Sequence, residues 1–408
     1  MTNRNKEEKP QAGATLAAFI KEVGVLPPKS VYVHIPFCTN KCYYCDFTAY
    51  VVGGQPVDDY LDALKREMEM VTEAAKPQEI ETIFIGGGTP TVLTPKQMEK
   101  LLRDLRLHFP DWSDQLEFTV EANPGTTSPE LLSVMREGGV NRISFGAQTF
   151  RPDLLKRIGR IHSAGEIRES VDAARMAGFD NISLDLMFGL PTQTVDDLKH
   201  TLNEAMSLDP GHFSCYSLKI EEGTVFYHLH QRKELPLPTE DEEFEMYQCI
   251  RSFMREKGYI QYEVSNFAKP GRESRHNTTY WLNEEYYGLG TGAHGYVGST
   301  RYANVTGVRA YIDQIRQGHL PVKESYQVSP EEDMENFMIL GLRLLKGVKR
   351  SRFDRRYGCR PEEVFDTVLR NLQSQKFIKM EGDWISLTEK GLLFGNEVFA
   401  SFLNGVEL

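Results

Sequence analysis

The sequence predicts an α/β fold in which parallel strands form a barrel with helices outside, followed by a smaller domain of helices and a hairpin. Three observations support this prediction. Strand-like apolar runs alternate with amphipathic helical stretches from residue 31 to residue 218, an alternation typical of parallel strands covered by helices. Glycine, cysteine and polar residues gather where the strands should end. The pattern then changes near residue 236, where Leu235-Pro236-Leu237-Pro238 interrupts the chain.

Apolar periodicity defines the elements of the first domain. Strands are predicted at 31–35, 82–85, 116–120, 142–145, 182–187 and 213–218. Helices are predicted at 57–75, 95–108, 129–137, 164–177 and 195–207. In the first of these helices, Leu61, Leu64, Met68 and Val71 recur with the 3.6-residue period of one buried face. Six strands that alternate with helices indicate a parallel sheet, and in such barrels the chemistry gathers at the carboxyl ends of the strands.

The second half of the chain has a different pattern. A helix is predicted at 240–257, a loop rich in glycine, asparagine and aromatic residues at 259–307, and two helices at 329–345 and 361–375. Residues 377–388 resemble a hairpin that turns at Gly382-Asp383. Helices with a hairpin favour a winged-helix-like module that packs against the barrel or covers its mouth. The predicted divisions are an N-terminal extension (1–28), the barrel (29–235), a connecting region (236–320) and a C-terminal accessory domain (321–408).

Composition narrows the class of protein. The chain has 408 residues, of which 40 % are hydrophobic and 26 % are charged, and its formal net charge is −11. This negative charge disfavours a nucleic-acid partner. No apolar run approaches the roughly 20 residues that a membrane helix requires, and the polar N-terminus lacks a signal-peptide pattern. We therefore expect a cytoplasmic protein whose thiols stay reduced.

Three cysteines near the start carry the strongest signal. Cys38, Cys42 and Cys45 have the spacing C-x3-C-x2-C directly after the first predicted strand. Thiolate sulfur is a soft, strong ligand for iron, so three thiols in one short loop favour an iron–sulfur cluster. Four cysteines would ligate a four-iron cluster fully, so three leave one iron open to a small molecule. A structural zinc site would require a fourth cysteine or histidine ligand close to these three. The remaining cysteines, Cys215, Cys249 and Cys359, lie alone in apolar contexts and are predicted to be small buried side chains.

Further candidate residues follow the other strands. Gly86-Gly87-Gly88-Thr89-Pro90 offers backbone that a ligand can approach closely. The polar side chains expected at or near the same rim are Glu121, Gln148, Arg160 and Asp185. Carboxylates accept hydrogen bonds from hydroxyl and amino groups, and an arginine binds a carboxylate. For each of these side chains taken alone, a salt bridge at the barrel rim is an equal alternative, and Arg157 and His162 are rivals of Arg160.

A second informative segment is His276-Asn277-Thr278-Thr279-Tyr280-Trp281. Histidine is a common axial ligand of heme iron, and the two aromatic residues provide area that can lie against a porphyrin. From residue types alone, however, a structural role for His276 is favoured over heme binding. His294, in a glycine-rich run, is a rival histidine whose simplest interpretation is a buried turn.

These motifs together resemble the radical S-adenosylmethionine (SAM) group that contains the oxygen-independent coproporphyrinogen III oxidases. The resemblance covers about residues 30–400. It implies a three-quarter β/α barrel of radical SAM type with a smaller α+β accessory domain, and a [4Fe-4S] cluster on the three cysteines. The positions that it implies as SAM contacts are Tyr32, Tyr44, Gly87, Gly88, Thr89, Glu121, Gln148, Arg160 and Asp185.

Two features separate subgroups within this resemblance. The oxidases carry a fourth cysteine two residues after the third, where this chain has Phe47. By contrast, Cys45-Asp46-Phe47 and the pattern HNxxYW at 276–281 are similar to the HemW heme chaperones. That likeness implies heme binding at His276, transfer of heme to respiratory membrane proteins, and a cytoplasmic protein that works peripherally at the inner face of the membrane. It also implies that the cluster and SAM support either dimerisation, with a homodimer as the expected form, or regulation. No catalytic residue is assigned, and the alternative is an oxidase-like enzyme of porphyrin biosynthesis.

Overall fold

A nine-stranded open sheet forms the centre of the molecule. The fold is described by a computed structural model that covers residues 27–74 and 76–407, so the predicted N-terminal extension lies outside the described residues apart from Pro27 and Pro28. The first eleven strands are β1 (Ser30–Ile35), β2 (Phe37–Cys38), β3 (Tyr50–Val51), β4 (Ile80–Gly87), β5 (Trp112–Ala122), β6 (Arg142–Gln148), β7 (Asn181–Phe188), β8 (His212–Ser217), β9 (Ile260–Gln261), β10 (Asn266–Ala268) and β11 (Tyr287–Leu289).

The sheet has the order β11-β1-β4-β5-β6-β7-β8-β10-β9. The seven strands from β11 to β8 are mutually parallel, whereas β10 and β9 are antiparallel to their neighbours. Because β11 and β9 are the two edges, the barrel is open between them. The predicted partial barrel of parallel strands is therefore confirmed, and all six predicted strands are present within a few residues of their expected bounds.

Helices lie along the outer face of this sheet and, in two cases, beside the cysteine loop at its mouth. They are α1 (Val57–Ala74), α2 (Pro95–His108), α3 (Pro129–Glu137), α4 (Pro152–Arg157), α5 (Ala164–Met176), α6 (Val195–Ser207), α7 (Val225–Gln231) and α8 (Glu240–Glu256). The two helices beside the cysteine loop are α4 and α7. Capping boxes begin α2, α5, α6 and α8, where the side chain of the preceding Thr or Ser exchanges hydrogen bonds with the third helical residue. Within the described residues, no helix is long and apolar enough to cross a membrane.

Alternation along each strand separates two environments. On β6, Ile143 and Phe145 are fully buried in the core beneath the helices. Their neighbours Arg142 and Ser144 point to the opposite face, since successive side chains of a strand alternate. The same alternation places Thr119 and Glu121 of β5 on the inner face. The barrel interior is thus lined by polar groups, while the apolar core lies between sheet and helices.

The prediction of a loop at 259–307 was wrong. This region contains β9, β10, α9 (Arg275–Trp281), β11, β12 (His294–Val297) and β13 (Thr300–Asn304). These strands have two to five residues, too few to show a period in the sequence. Three of them join the barrel sheet, so that sheet extends beyond the predicted boundary at residue 235.

The C-terminal region forms its own core. After α10 (Val308–Arg316) and β14 (Val322–Gln327), the sheet β15-β17-β16 packs with a second apolar cluster. The elements of this domain are α11 (Pro330–Gly341), β15 (Val348–Lys349), α12 (Arg350–Tyr357), α13 (Pro361–Val364), α14 (Asp366–Ser374), β16 (Ile378–Glu381), β17 (Trp384–Leu387), α15 (Glu389–Leu393) and α16 (Gly395–Ala400). The predicted hairpin is confirmed, whereas the single helix predicted at 361–375 is two helices.

This domain spans the two edges of the open barrel. On the β9 side, the Leu345 amide donates to the carbonyl of Tyr262. On the β11 side, the guanidinium of Arg352 donates to the carbonyl of Leu282, and that of Arg356 donates to the carbonyl of Asn283. These bonds confirm that the domain packs against the barrel.

Glu67 fastens the connecting region to the barrel. This buried carboxylate of α1 accepts hydrogen bonds from the Gly290 amide (2.7 Å), the Asn304 side chain (2.7 Å) and the Tyr311 hydroxyl (2.6 Å). We predict that Glu67→Ala lowers the free energy of unfolding by roughly 3 kcal/mol, because three buried donors lose their acceptor. Urea denaturation of the variant measures this loss.

The matched control is Glu69→Ala on the same helix, where the exposed ion pair with Arg66 contributes little. An equal loss in both variants would contradict the assignment.

The same carboxylate makes stability depend on pH. Burial raises the pKa of Glu67 from 4.5 to about 7. The folded chain therefore holds a proton that the unfolded chain releases, so the stability contributed by Glu67 is full below pH 4.5 and is lost as pH rises through about 7. We predict that Glu67→Gln flattens the fall in melting temperature between these pH values. If the melting temperature of Glu67→Gln falls with pH as steeply as that of wild type, Glu67 has the same pKa in the folded and the unfolded chain.

Candidate functional site

The cysteine loop lies at the carboxyl end of β1. Cys38 ends the short strand β2, and its carbonyl accepts a hydrogen bond from the Val52 amide (2.9 Å). Further along, the Tyr43 amide donates to the carbonyl of Ile158 (3.1 Å), and the Asn40 side chain donates to that of Gly159 (2.8 Å). The loop is thus anchored across the barrel mouth to the segment after α4.

The glycine segment supports this loop from below. The Gly88 amide donates to the carbonyl of Ile35 (2.9 Å), and the Thr89 amide donates to that of Phe37 (2.7 Å). A β-carbon on Gly88 would lie 2.7 Å from the Phe37 oxygen, so only glycine fits there. The Thr89 hydroxyl donates to the Cys38 sulfur at 3.5 Å. The segment therefore positions the first cysteine directly.

Two half-buried carboxylates lie on the inner wall beside the glycines. Glu121 accepts a hydrogen bond from the Gly87 amide (3.0 Å), and Asp185 accepts one from the Ser144 hydroxyl (3.1 Å). Burial, together with the charge of Asp185, raises the pKa of Glu121 to about 7. Burial also raises the pKa of Asp185. A cationic ligand between them would favour their ionised forms.

Arg160 is the arginine that reaches the site. Its guanidinium donates to the Asn123 side-chain oxygen (2.7 Å) and to the Tyr44 hydroxyl (2.9 Å). Its buried Nε has no partner among the described residues. A cavity of about 150 Å3 borders Cys42, Asn123, Arg160 and His162. The rival Arg157 is exposed on α4, and burial lowers the pKa of His162 to about 4.

Sequence analysis missed Asn123. Its amide donates to the Thr89 hydroxyl (2.8 Å) while its oxygen accepts from Arg160. It therefore joins the glycine segment to the arginine. Its position two residues after Glu121, at the end of a strand, was the signal from which the sequence could have predicted it.

Gln148 ends β6 in the left-handed region (φ 64°), where a non-glycine residue is uncommon. The pairing of β6 with β7 also shifts register there.

The donor set fits the groups that the resemblance implies. Three thiols share the loop, and burial raises the pKa of Cys38 and that of Cys45, the latter to about 11. Iron must therefore displace these protons on binding. In the described part of the chain, no three His, Cys, Asp or Glu side chains converge in a metal-binding group, so the three thiols would have to turn toward one another to hold a cluster. Of the remaining cysteines, Cys215 is buried as predicted, and Cys249 and Cys359 are half-buried.

His276 lies at the opposite end of the barrel, on the first turn of α9. It is fully buried and stacks on Phe84 with ring centroids 5.2 Å apart. Nδ1 contacts the Thr82 hydroxyl (2.7 Å), and Nε2 contacts the Tyr280 hydroxyl (2.8 Å). Since Thr82 donates its proton to Ser30, Nδ1 of His276 carries the hydrogen and Nε2 accepts from Tyr280. Both nitrogens are therefore occupied in this conformation.

His294, the rival histidine, is not the buried turn residue that the sequence favoured. It begins β12 with an exposed side chain. Together with burial, the charge of His294 lowers the pKa of His34, the β1 residue beside Gly87. His294 therefore lies near the barrel mouth. The two histidines therefore lie in different environments, and heme ligation by His276 stays a prediction.

Fold and site together define a class, the radical SAM proteins. The Radical SAM superfamily matches residues 32–205, and the HemN C-terminal domain matches residues 328–394. Coproporphyrinogen III oxidase (HemN) from Escherichia coli, a radical SAM enzyme, has a similar fold. Its TM-score is 0.83 at 23 % sequence identity, covering 94 % of this chain and 92 % of that one.

Three curated relatives narrow the class. The heme chaperone HemW of Bacillus subtilis is 49 % identical over 375 residues, which cover 92 % of this chain and 99 % of the relative. HemW of Lactococcus lactis is 41 % identical, covering 92 % and 97 %. HemW of Escherichia coli is 36 % identical, covering 93 % and 99 %. The chain belongs to the HemW family.

Gly88 provides a test of the site's architecture. We predict that Gly88→Ala lowers the iron and sulfide bound per chain after anaerobic reconstitution, because the added methyl group displaces the Phe37 carbonyl and with it Cys38. Gly53→Ala is the control, since nothing lies within 4 Å of its β-carbon position. Wild-type iron content in Gly88→Ala would contradict this support for the cysteine loop.

Proposed function

We propose that this protein is a heme chaperone that binds heme reversibly and delivers it to respiratory hemoproteins. The observation that carries the proposal is its likeness to heme chaperones over nearly their whole length. The HNxxYW segment lies at the floor of the barrel whose mouth holds the three cysteines. Heme and the cluster site would therefore share one interior.

In this proposal Cys38, Cys42 and Cys45 hold a [4Fe-4S] cluster, and the neighbouring wall holds SAM. A three-cysteine cluster supplies an electron and an open iron site to SAM when both are bound. The chain's own contribution is orientation. The Thr89 hydroxyl positions the Cys38 sulfur, and Arg160 lines the cavity beside Cys42. The remaining proposed SAM contacts are Tyr32, Tyr44, Gly87, Gly88, Glu121, Gln148 and Asp185.

His276 is the proposed axial ligand of the heme iron. Burial and the charge of Arg142 lower its pKa to about 3, so the imidazole is neutral near pH 7 and its Nε2 lone pair is free of a proton. Iron binding requires the Tyr280 hydroxyl to leave Nε2, which costs about the 1 kcal/mol of one hydrogen bond. A single histidine whose lone pair is otherwise capped suits reversible ligation and transfer.

The alternative is an oxidase-like enzyme that decarboxylates coproporphyrinogen. The mouth retains the glycine segment and the carboxylates in its favour. Against it stands Phe47, whose side chain is 62 % exposed at the position of the oxidases' fourth cysteine. The chain departs from the oxidase pattern at this position, and for that reason turnover is not the proposed function. Delivery to membrane proteins would make the chain a cytoplasmic, peripheral partner, and we propose a homodimer as its working form.

The chaperone proposal is tested by anaerobic hemin titration of the reconstituted protein, read at the Soret band. We expect wild type to bind about one hemin per chain with a histidine-ligated spectrum, and His276→Ala to lose that spectrum. His319→Ala, an exposed histidine, is the control. If only His294→Ala loses the histidine-ligated spectrum, the axial ligand is His294 at the barrel mouth. If all variants bind hemin equally, histidine ligation is refuted.

A separate assay decides between chaperone and enzyme. Incubation with coproporphyrinogen III, SAM and a reductant should yield no protoporphyrinogen above the background of Cys42→Ser, because the fourth cysteine of the oxidases is absent. Chromatography of the oxidised porphyrins reads the result. Product that depends on Cys42 would establish the enzyme instead.

A further inference from the structure

A row of three polar side chains crosses the inner wall of the barrel near its floor. Thr119 on β5 pairs with Arg142 on β6, and Arg142 pairs with Asn181 on β7. Their strand neighbours Ile143 and Ile182 lie in the apolar core, so the three side chains face the interior. Adjacent strands are about 4.8 Å apart, which brings all three within reach of one small group.

Arg142 is a buried cation without a bonded partner at Nε. The residue is 2 % exposed, and its Nε makes no hydrogen bond within residues 27–74 and 76–407. Burying a charge without pairing it is costly, and buried cations are normally neutralised by a carboxylate or another anion. The side chain therefore requires an explanation other than packing.

The carboxylates that face Arg142 are already committed to other donors. Glu117 accepts from the amides of Arg275 and His276 at the start of α9, both at 2.9 Å. Glu121 accepts from the Gly87 amide, and Asp185 accepts from the Ser144 hydroxyl. The last two sense the arginine only through space.

The neighbours of Arg142 in the row are unpartnered as well. The Thr119 hydroxyl and the Asn181 side-chain oxygen are buried and have no hydrogen-bond partner among the described residues. Phe84, which pairs with Thr119 and also points inward, is only half-buried, so the interior beside the row is not completely filled.

We propose that Arg142, Thr119 and Asn181 form a binding site for a carboxylate group of the ligand that enters the barrel. The guanidinium presents a fork of donors that matches the two oxygens of a carboxylate, and the Thr119 hydroxyl adds a donor beside it. Asn181 adds a donor when its amide nitrogen, in place of the unpartnered oxygen, is turned toward the row. The identity of this carboxylate rests on the proposed function: it is a propionate of heme. The heme iron would then lie near His276, at the same end of the barrel.

Hemin and hemin dimethyl ester distinguish this site, because they differ only in the charge of the propionates. We expect wild type to bind hemin about tenfold or more tightly than the ester, and Arg142→Met to remove that preference. The Soret shape of bound hemin should stay unchanged in the variant, since iron ligation is left intact. Arg151→Met is the control, because Arg151 pairs with Asp153 and Asp197 outside the row.

Arg142→Lys covers the case in which Arg142→Met fails to fold. It keeps the charge but loses the fork, so its preference for hemin over the ester should fall between the two. Equal binding of hemin and ester by wild type, or an unchanged preference in both variants, overturns the carboxylate site. Wild type that binds neither porphyrin refutes the proposed function instead, which keeps the two failures distinct.

Discussion

The architecture of the site depends on two backbone hydrogen bonds. The amides of Gly88 and Thr89, at the end of β4, donate to the carbonyls of Ile35 and Phe37 just before the first cysteine. These bonds fix the cysteine loop to the neighbouring strand without any side chain between them, which is why a β-carbon at Gly88 has no room. Thr89, Asn123 and Arg160 then follow as one hydrogen-bonded chain from the Cys38 sulfur.

The barrel interior joins two sites of different chemistry. At the mouth lie the three cysteines, with the carboxylates of Glu121 and Asp185 on the neighbouring wall. At the floor, the rings of His276 and Phe84 stack beneath a row of unpartnered polar groups that includes Arg142. Because each strand is polar on its inner face and apolar on its outer face, the inner faces can line both sites while the outer faces pack against the helices. The C-terminal domain is hydrogen-bonded to Tyr262, which follows β9, and to Leu282, which lies between α9 and β11, so it contacts the chain near both edges of the open sheet.

The sequence predicts this structure well where elements are long. The helix at 95–108 has the bounds predicted from periodicity alone, because its buried face repeats over four turns. The strands at 260–304 escaped prediction because they are too short for a period. The depth of His276 also escaped, since burial arises from packing against Phe84, a residue 192 positions away in the chain. Arg142 begins one of the predicted strands, but its missing partner is visible only in three dimensions.

The central claim is that heme and cluster occupy one barrel. It is tested most directly by an iron anomalous difference map from crystals grown anaerobically with SAM and hemin. The account predicts a cluster peak at Cys38, Cys42 and Cys45 and a single-iron peak inside the barrel. From Thr82 at the floor to Gly87 at the mouth, β4 rises about 17 Å, so the peaks should lie within that range. A heme iron outside the barrel, or no peak at the cysteines, would contradict the account.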